Sequence, residues 1–349
     1  MVKGIIHIEI GVVYERGVLQ KMIITKTPFR ISFAGGGSDL PEFYREHGGC
    51  VLSTSINRYM YIMIHPYFDE KKTSLKYSQT EIVDHLEDIN HSIFRCVLNQ
   101  KKISGVEISS TADVPSGTGL GSSSSFTVGL LHTLYCFTGK YCSKAELAKE
   151  ACQVEIEYLG NPIGKQDQYA AAFGGLNFTS FYPDDTVSVE PIIMKNHVMK
   201  MLQDNLVVFY TGVTHNANKI LSGQKKEISK PEKVEQLKAM CGLARDMKAS
   251  LEKNELNEFG KMLHEGWKRK RELSDGITNS KIDDLYELGI KSGATGGKLL
   301  GAGGGGFLLF YCPKEEQPRL EKAIPLKRFD FSFEHDGTSV VYIGDKYWR

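Results

Sequence analysis

The chain has 349 residues, two domains' worth at roughly 150 residues each, enough to bury real cores without disulfide or metal staples. Apolar residues make up 41% and charged residues 24%, a globular mix that excludes disordered, fibrous and collagen-like classes. With 43 basic and 42 acidic side chains the charges nearly cancel, which excludes a strong global field for nucleic acid or membrane. Seven cysteines without a Cys-x-x-Cys pair read as reduced thiols of a cytoplasmic protein, and ten histidines without His-x₃-His spacing argue against structural zinc.

Residues 1–21 alternate weakly (Ile6, Ile8, Ile10, Val12), a pattern that fits a strand; equally, Met22 could be the start, with an appended leader before it. They lack the features of a secretory signal, and no apolar run reaches the ~18 residues of a membrane span. Ile23–Thr27 and Arg30–Ala34 predict two strands broken by Pro28 and followed by a Gly35–Gly37 turn. Tyr59–His65 and Val106–Ser110 predict further strands. Phe126, Leu130, Leu134 and Phe137 share one helix face. Ser143 and Glu146 make a capping box for the next helix, whose stripe is Leu147, Ala151, Val154 and Tyr158 and which Gly160-Asn161-Pro162 stops. A composition shift over Pro183–Asn205 places a domain boundary there, giving lobes 22–195 and 196–349. The second lobe opens on strand Leu206–Tyr210, continues in polar helices Glu227–Lys253 and Leu256–Ser274, and ends on strands Phe307–Tyr311 and Ser339–Ile343. Helices and strands mix in both halves, which predicts an α+β protein of two lobes.

Glycine is the residue out of line, with 35 copies against a usual share of about 7%, and it is clumped. The sharpest clump is Val114-Pro-Ser-Gly-Thr-Gly-Leu-Gly-Ser-Ser-Ser-Ser125, where alternating glycines lead straight into a helix start lined by four hydroxyls. Glycines let main-chain N–H groups converge on an anion, and a helix start adds free N–H donors and partial positive charge. The bland alternative is a serine-rich helix cap with a flexible lead-in. The lysine of the common phosphate loop is missing, as are a dinucleotide-binding unit and the signatures of protein kinases.

Two further segments join this one: Pro28-Phe-Arg-Ile-Ser-Phe-Ala-Gly-Gly-Gly-Ser-Asp-Leu-Pro41 and Gly297-Lys-Leu-Leu-Gly-Ala-Gly-Gly-Gly-Gly-Phe307. The three blocks, in this order and at these separations, resemble the GHMP kinase superfamily from Met22 to the C-terminus. Ala34–Pro41 and Lys165-Gln-Asp-Gln-Tyr-Ala-Ala-Ala-Phe-Gly-Gly175 resemble more closely its branch of heptose 7-phosphate kinases, with a Gly-Gly-Gly-Ser-Asp pattern shared by L-fucose kinases. Galactokinases read Gly-Glu-His-Thr-Asp there, so the chain departs from them while keeping Asp39.

The resemblance implies a two-lobed GHMP kinase fold with a ferredoxin-like C-terminal lobe and a substrate cleft between the lobes. It implies ATP held by Pro115, Gly117, Gly119, Leu120, Gly121, Ser122, Ser123 and Ser124. Asp167 matches the aspartate that orients or deprotonates the acceptor hydroxyl, and Arg30 the cationic residue that offsets charge on the transferring phosphoryl group. Mg²⁺ would sit on Ser123 and Glu155. On a regular helix Glu155 and Glu157 fall about 80° from Leu147 on opposite sides of the buried stripe, so only one can face the cleft. Alignment through Gly160-Asn161-Pro162 selects Glu155. Asp39 with Gly36, Gly37 and Ser38 is the sugar-binding candidate, joined by Gly175, Gly303 and Gly304; a tight turn around Asp39 is the alternative. The Gly301–Gly306 run is expected to approach the phosphate loop. Lys268-Arg-Lys-Arg271 reads as a solvated helix face that could hold a substrate phosphate only if turned inward; Lys165, Arg58 and Lys270 are the basic residues considered for that task.

The expected partners are ATP and a small sugar or sugar phosphate, with no nucleic acid or membrane and with a homodimer left open. The expected reaction is phosphorylation of the anomeric hydroxyl of a heptose 7-phosphate, feeding nucleotide-activated heptose synthesis. The alternatives are a kinase of L-fucose or another free hexose, and a non-catalytic sugar- and nucleotide-binding regulator.

Overall fold

A computed structural model describes residues 22–213 and 217–344; the expectations for residues 1–21 lie outside the described residues. In chain order the strands are β1 (Ile23–Ala34), β2 (Gly49–Pro66), β3 (Thr73–Lys76), β4 (Thr80–Val83), β5 (Val106–Ala112), β6 (Leu176–Phe181), β7 (Val187–Pro191), β8 (Leu206–Tyr210), β9 (Gly296–Leu299), β10 (Phe307–Tyr311), β11 (Lys327–Arg328) and β12 (Ser339–Ile343). The helices are α1 (Pro41–His47), α2 (Ser92–Lys101), α3 (Ser122–Phe137), α4 (Lys144–Cys152), α5 (Gln166–Phe173), α6 (Asn196–Asp204), α7 (Ala217–Glu227), α8 (Pro231–Glu252), α9 (Phe259–Arg271), α10 (Ser280–Lys291) and α11 (Gln317–Ala323). Among the described residues no helix is long and apolar enough to cross a membrane.

The first sheet runs β12-β1-β2-β5-β3-β4, with β6 and β7 continuing from the N-terminal half of the long β2. The second runs β11-β8-β10-β9, all antiparallel, which is the strand order of a ferredoxin-like lobe. The chain leaves the first sheet after β7 and enters the second at β8, on either side of the division expected near residue 195, yet the two sheets do not divide the chain cleanly. β12, assigned from sequence to the second lobe, pairs with β1 in the first sheet through Ile23↔Ile343 and Lys26↔Ser339. Apolar residues of both halves, from Phe29 to Phe310, join one core.

Pro28 does not break the first strand in two. β1 is continuous, and its register to β2 shifts between Pro28 and Phe29. Pairing to β12 has already stopped at Lys26, so the missing proline N–H falls at a bulge, where it costs no regular ladder bond. The Ser125 hydroxyl donates to the Pro28 carbonyl across 2.9 Å and ties α3 to this bulge. α3 is buried on more than the single face its apolar spacing suggests, because Ser124, Ser125, Thr127 and Thr133 are buried too. Gly129 lets it sit close against Thr27 of β1. The capping box at Ser143 and Glu146 is present. After α4 the chain winds as a π-helix over Gln153–Tyr158, which the regular periodicity does not anticipate. Tyr158, expected on the buried stripe, is 56% exposed as a result. The first long polar helix of the second lobe starts at Pro231 rather than Glu227, because Glu227 closes the separate helix α7.

Candidate active site

The glycine-serine segment crosses from β5 into α3. Gly117, Gly119 and Gly121 all have positive φ, and Gly121 is the residue at which α3 begins. The first turn of a helix has backbone N–H groups with no carbonyl of its own helix to bond. Serines 122, 123 and 124 occupy that turn and face the cleft. The second glycine run closes over the loop: a Cβ on Gly119 would strike the Leu300 carbonyl, and one on Gly301 would strike Gly119 itself. Both residues have left-handed backbone, so only glycine meets both demands.

Arg30 and Asp167 meet at the rim of this loop. Arg30 Nε donates to Asp167 Oδ1 at 2.7 Å, and Nη2 donates to Oδ2 at 2.8 Å. The remaining arm, Nη1, donates to the Gly119 carbonyl at 2.7 Å. One guanidinium therefore fixes both the carboxylate and the loop, in the bidentate geometry that arginine favours. Asp167 stands in the first turn of α5, and that short helix aims it back at the loop. A Cβ on Gly121 would crowd its Oδ2 at 3.1 Å.

Glu155 is fully buried and accepts hydrogen bonds from Ser123 Oγ at 2.6 Å and Gln168 Nε2 at 2.8 Å. Burial raises its proton affinity, opposed by the donors Ser123, Ser124 and Gln168. Its neighbour Glu157 is exposed. The π-helix settles which glutamate turns inward, since its wider winding re-aims side chains relative to a regular helix.

Arg30, Asp167 and the glycine-serine loop line one cleft of about 200 Å³ with Gly36, Gly37 and Asp39, while Glu155 is buried behind its Ser123 wall. Asp39 is 2% exposed, and its oxygens accept from Gly37 N–H at 2.9 Å and Gln166 N–H at 3.2 Å. Burial pushes its pKa up, and the nearby Asp167 charge adds to the rise. Asp39 thus makes the tight turn that was the alternative to sugar binding, and at the same time pins the start of α5 beside the cleft.

Several expected positions fall outside the cleft lining. The Ser38 hydroxyl is spent on the Gly35 and Cys50 carbonyls, so it secures the turn instead of facing a ligand. Gly175 pairs its backbone with Ser55 and Glu334. Gly303 packs against Ile277, and Gly304 N–H bonds the Ile277 carbonyl, whereas the neighbouring Gly301 and Ala302 do line the cleft. Pro115 and Leu120 support the loop from behind, Leu120 by accepting from Arg30 N–H at 3.1 Å.

The basic residues rearrange the expectation further. Lys165 pairs with Asp185 at 2.9 Å, and Arg58 bonds the Asp330 carbonyl, both away from the cleft. Lys270 is not part of a solvated face: it is 7% exposed, lines the cleft and donates to the Gly301 carbonyl. Burial, helped by the Arg30 charge, pushes its pKa down to about 8. Lys298, quoted above only as part of a glycine block, reaches the cleft and donates to the Ser32 and Phe33 carbonyls at 2.8 and 3.0 Å. Burial holds its pKa well below the usual lysine range. Neither lysine has a carboxylate within ion-pair distance among the described residues. A lone lysine at the head of a strand behind a glycine run carries no periodic signal, which is why sequence reasoning passed over it.

Residues 88–175 match the GHMP kinases N terminal domain and residues 247–329 the GHMP kinases C terminal domain. The chain is 32% identical to the D-glycero-alpha-D-manno-heptose 7-phosphate kinase of Campylobacter jejuni over 344 residues, covering 94% of this chain and 99% of that one. A crystal structure of a putative sugar kinase from Campylobacter jejuni superposes with a TM-score of 0.73 at 28% identity, over 93% of this chain and 99% of the other. A D-glycero-D-manno-heptose 1-phosphate kinase from Bacteroides thetaiotaomicron shares the fold, with a TM-score of 0.76 at 24% identity, over 92% and 99% of the two chains. The chain belongs to the GHMP kinase family and is an ATP-dependent sugar kinase.

Proposed function

We propose that the enzyme transfers the γ-phosphoryl group of ATP to the anomeric hydroxyl of a heptose 7-phosphate. The observation that carries this reading is the Arg30–Asp167 pair, with both carboxylate oxygens held at 2.7 and 2.8 Å beside the glycine-serine loop. Each oxygen keeps a lone pair for the acceptor hydroxyl. The sugar oxygen bonds to the γ-phosphorus, the bond from that phosphorus to the β–γ bridging oxygen breaks, and Asp167 orients or accepts the hydroxyl proton. Arg30 offsets the charge on the moving group, and the free N–H groups at the start of α3 hold the triphosphate.

Mg²⁺ fits Ser123 and Glu155. The buried carboxylate has no cationic partner among the described residues, and Mg²⁺ is commonly held by one or two protein oxygens together with substrate phosphates. When bound, it would neutralise phosphate charge.

The substrate phosphate is supported by charge. The ionisable residues lining the cleft are the basic Arg30, Lys270 and Lys298 against the acidic Asp39 and Asp167, and among the described residues neither lysine has a carboxylate partner. A free sugar would give no return on burying two lysines. The seven free thiols support a reducing, cytoplasmic setting.

The test is ATP turnover against D-glycero-D-manno-heptose 7-phosphate, L-fucose, galactose and mannose, with the product identified by phosphorus–proton coupling. The highest kcat/KM should belong to the heptose 7-phosphate, with the new phosphate on carbon 1. A free hexose used more efficiently would overturn the reading in favour of the L-fucose or free-hexose alternative.

A further inference from the structure

Three polar atoms buried around Gly36 and Gly37 have no hydrogen-bond partner among the described residues: Ser32 Oγ, Gln166 Oε1 and Gln224 Nε2. All three residues line the cleft. Ser32 and Gln224 are 6% and 3% exposed, so water does not satisfy them freely. Buried polar groups are almost always paired, and a cluster that is not paired marks a place where a ligand completes the bonds.

The three come from separate elements. Ser32 lies on β1, Gln166 opens α5 next to Asp167, and Gln224 reaches in from α7 of the second lobe. They enclose space that two glycines leave open. A Cβ on Gly36 would sit 3.6 Å from Gln166 Nε2 and 3.7 Å from Ser32 Oγ, and one on Gly37 would sit 2.5 Å from Gln224 Nε2. Asp39 leaves these three atoms unpaired, its oxygens accepting instead from the Gly37 and Gln166 N–H groups.

The chemistry on offer is an amide donor, an amide acceptor and a hydroxyl, without formal charge. That set suits neighbouring alcohols, each of which donates one hydrogen bond and accepts others. It does not suit a phosphate, for which Lys270 and Lys298 are the nearby charges. We propose that Ser32, Gln166 and Gln224 form the subsite that recognises the non-reacting hydroxyls of the acceptor sugar, with Gln224 the second lobe's contribution to specificity. The proposal rests on the sugar-kinase reading and deepens it, but does not depend on which sugar is used.

The experiment compares wild type with Gln224→Met, a substitution of similar volume that lacks the amide. The probes are the best acceptor from the panel above and its monodeoxy analogues. For wild type, removing the hydroxyl that Gln224 contacts should lower kcat/KM by about tenfold or more. The variant should lose a similar factor on the parent sugar, keep its KM for ATP within about twofold, and no longer distinguish the parent from that one analogue. Unchanged activity on the parent, or discrimination against every analogue as in wild type, would overturn the proposal and leave the three groups holding an ordered water only. If Gln224→Met does not fold, Ser32→Ala carries the same comparison. A free hexose as best acceptor would defeat the heptose 7-phosphate reading but not this one, since the deoxy series would be built on that hexose.

Discussion

Asp167 and Arg30 form a unit: the guanidinium spends two arms on the carboxylate and the third on the Gly119 carbonyl. Replacing Asp167 with Asn keeps the shape and removes the charge proposed to hold the acceptor proton. Turnover should fall about 10²–10⁴-fold with the KM for ATP little changed, read by steady-state kinetics beside a thermal melt that confirms folding. Near-normal turnover would remove Asp167 from its role. At the metal side, Ser123→Ala and Glu155→Ala should raise the Mg²⁺ concentration needed for half-maximal turnover, while Glu157→Ala should not, because Glu157 faces solvent. A magnesium titration of the three variants decides it. Asp167, Arg30 and Glu155 were legible because each stands inside a motif with fixed neighbours. Lys270 was one of three basic candidates and no more, since four consecutive basic residues on a helix look alike in sequence and only packing shows which one is turned inward.

Among elements, the two glycine runs behave as one part. The loop before α3 and the turn after β9 approach so closely that neither Gly119 nor Gly301 has room for a Cβ. Gly301→Ala should therefore cost more than about 2 kcal/mol of stability in chemical denaturation, through both its left-handed backbone and the collision with Gly119. It should also raise the KM for ATP, because relief of the clash must push the loop away from its place under Arg30. Full stability and normal ATP affinity would show that the runs do not depend on each other. The clumping of glycine announced close approach, but not what each clump approaches. Strands with continuous apolar runs, such as Leu206–Tyr210 and Phe307–Tyr311, were read to the residue. The π-helix was not, since one turn of different winding leaves the apolar pattern before it intact.

Over the whole molecule, the cleft gathers Arg30 from the first sheet and Lys298 from the second, with Lys270 on a helix packed against both. This arrangement predicts a pH dependence. Burial lowers the Lys270 pKa to about 8 in the free enzyme, so its charge is present below that pH and lost as pH rises through it. An anionic acceptor needs that charge, so kcat/KM for a sugar phosphate should decline above about pH 8. Lys270→Met should lower kcat/KM throughout and flatten this limb. A free sugar should show no such limb, and a profile that stays flat for a phosphorylated acceptor would take Lys270 out of anion binding.

From the linear chain alone came the α+β class, most strand cores, the capping box, the glycine-serine loop and the residues that motif spacing marks for chemistry. These depend on neighbours a few positions apart, where periodicity, turn chemistry and the geometry of a helix start act directly. Tertiary structure alone decided that β12 returns to the first sheet, that Ser38 secures a turn, that Lys298 and Gln224 enter the cleft, and that Lys270 does so while Lys165 and Arg58 do not. Each of those outcomes turns on residues far apart in the chain competing for the same buried space, and local pattern carries no record of that contest.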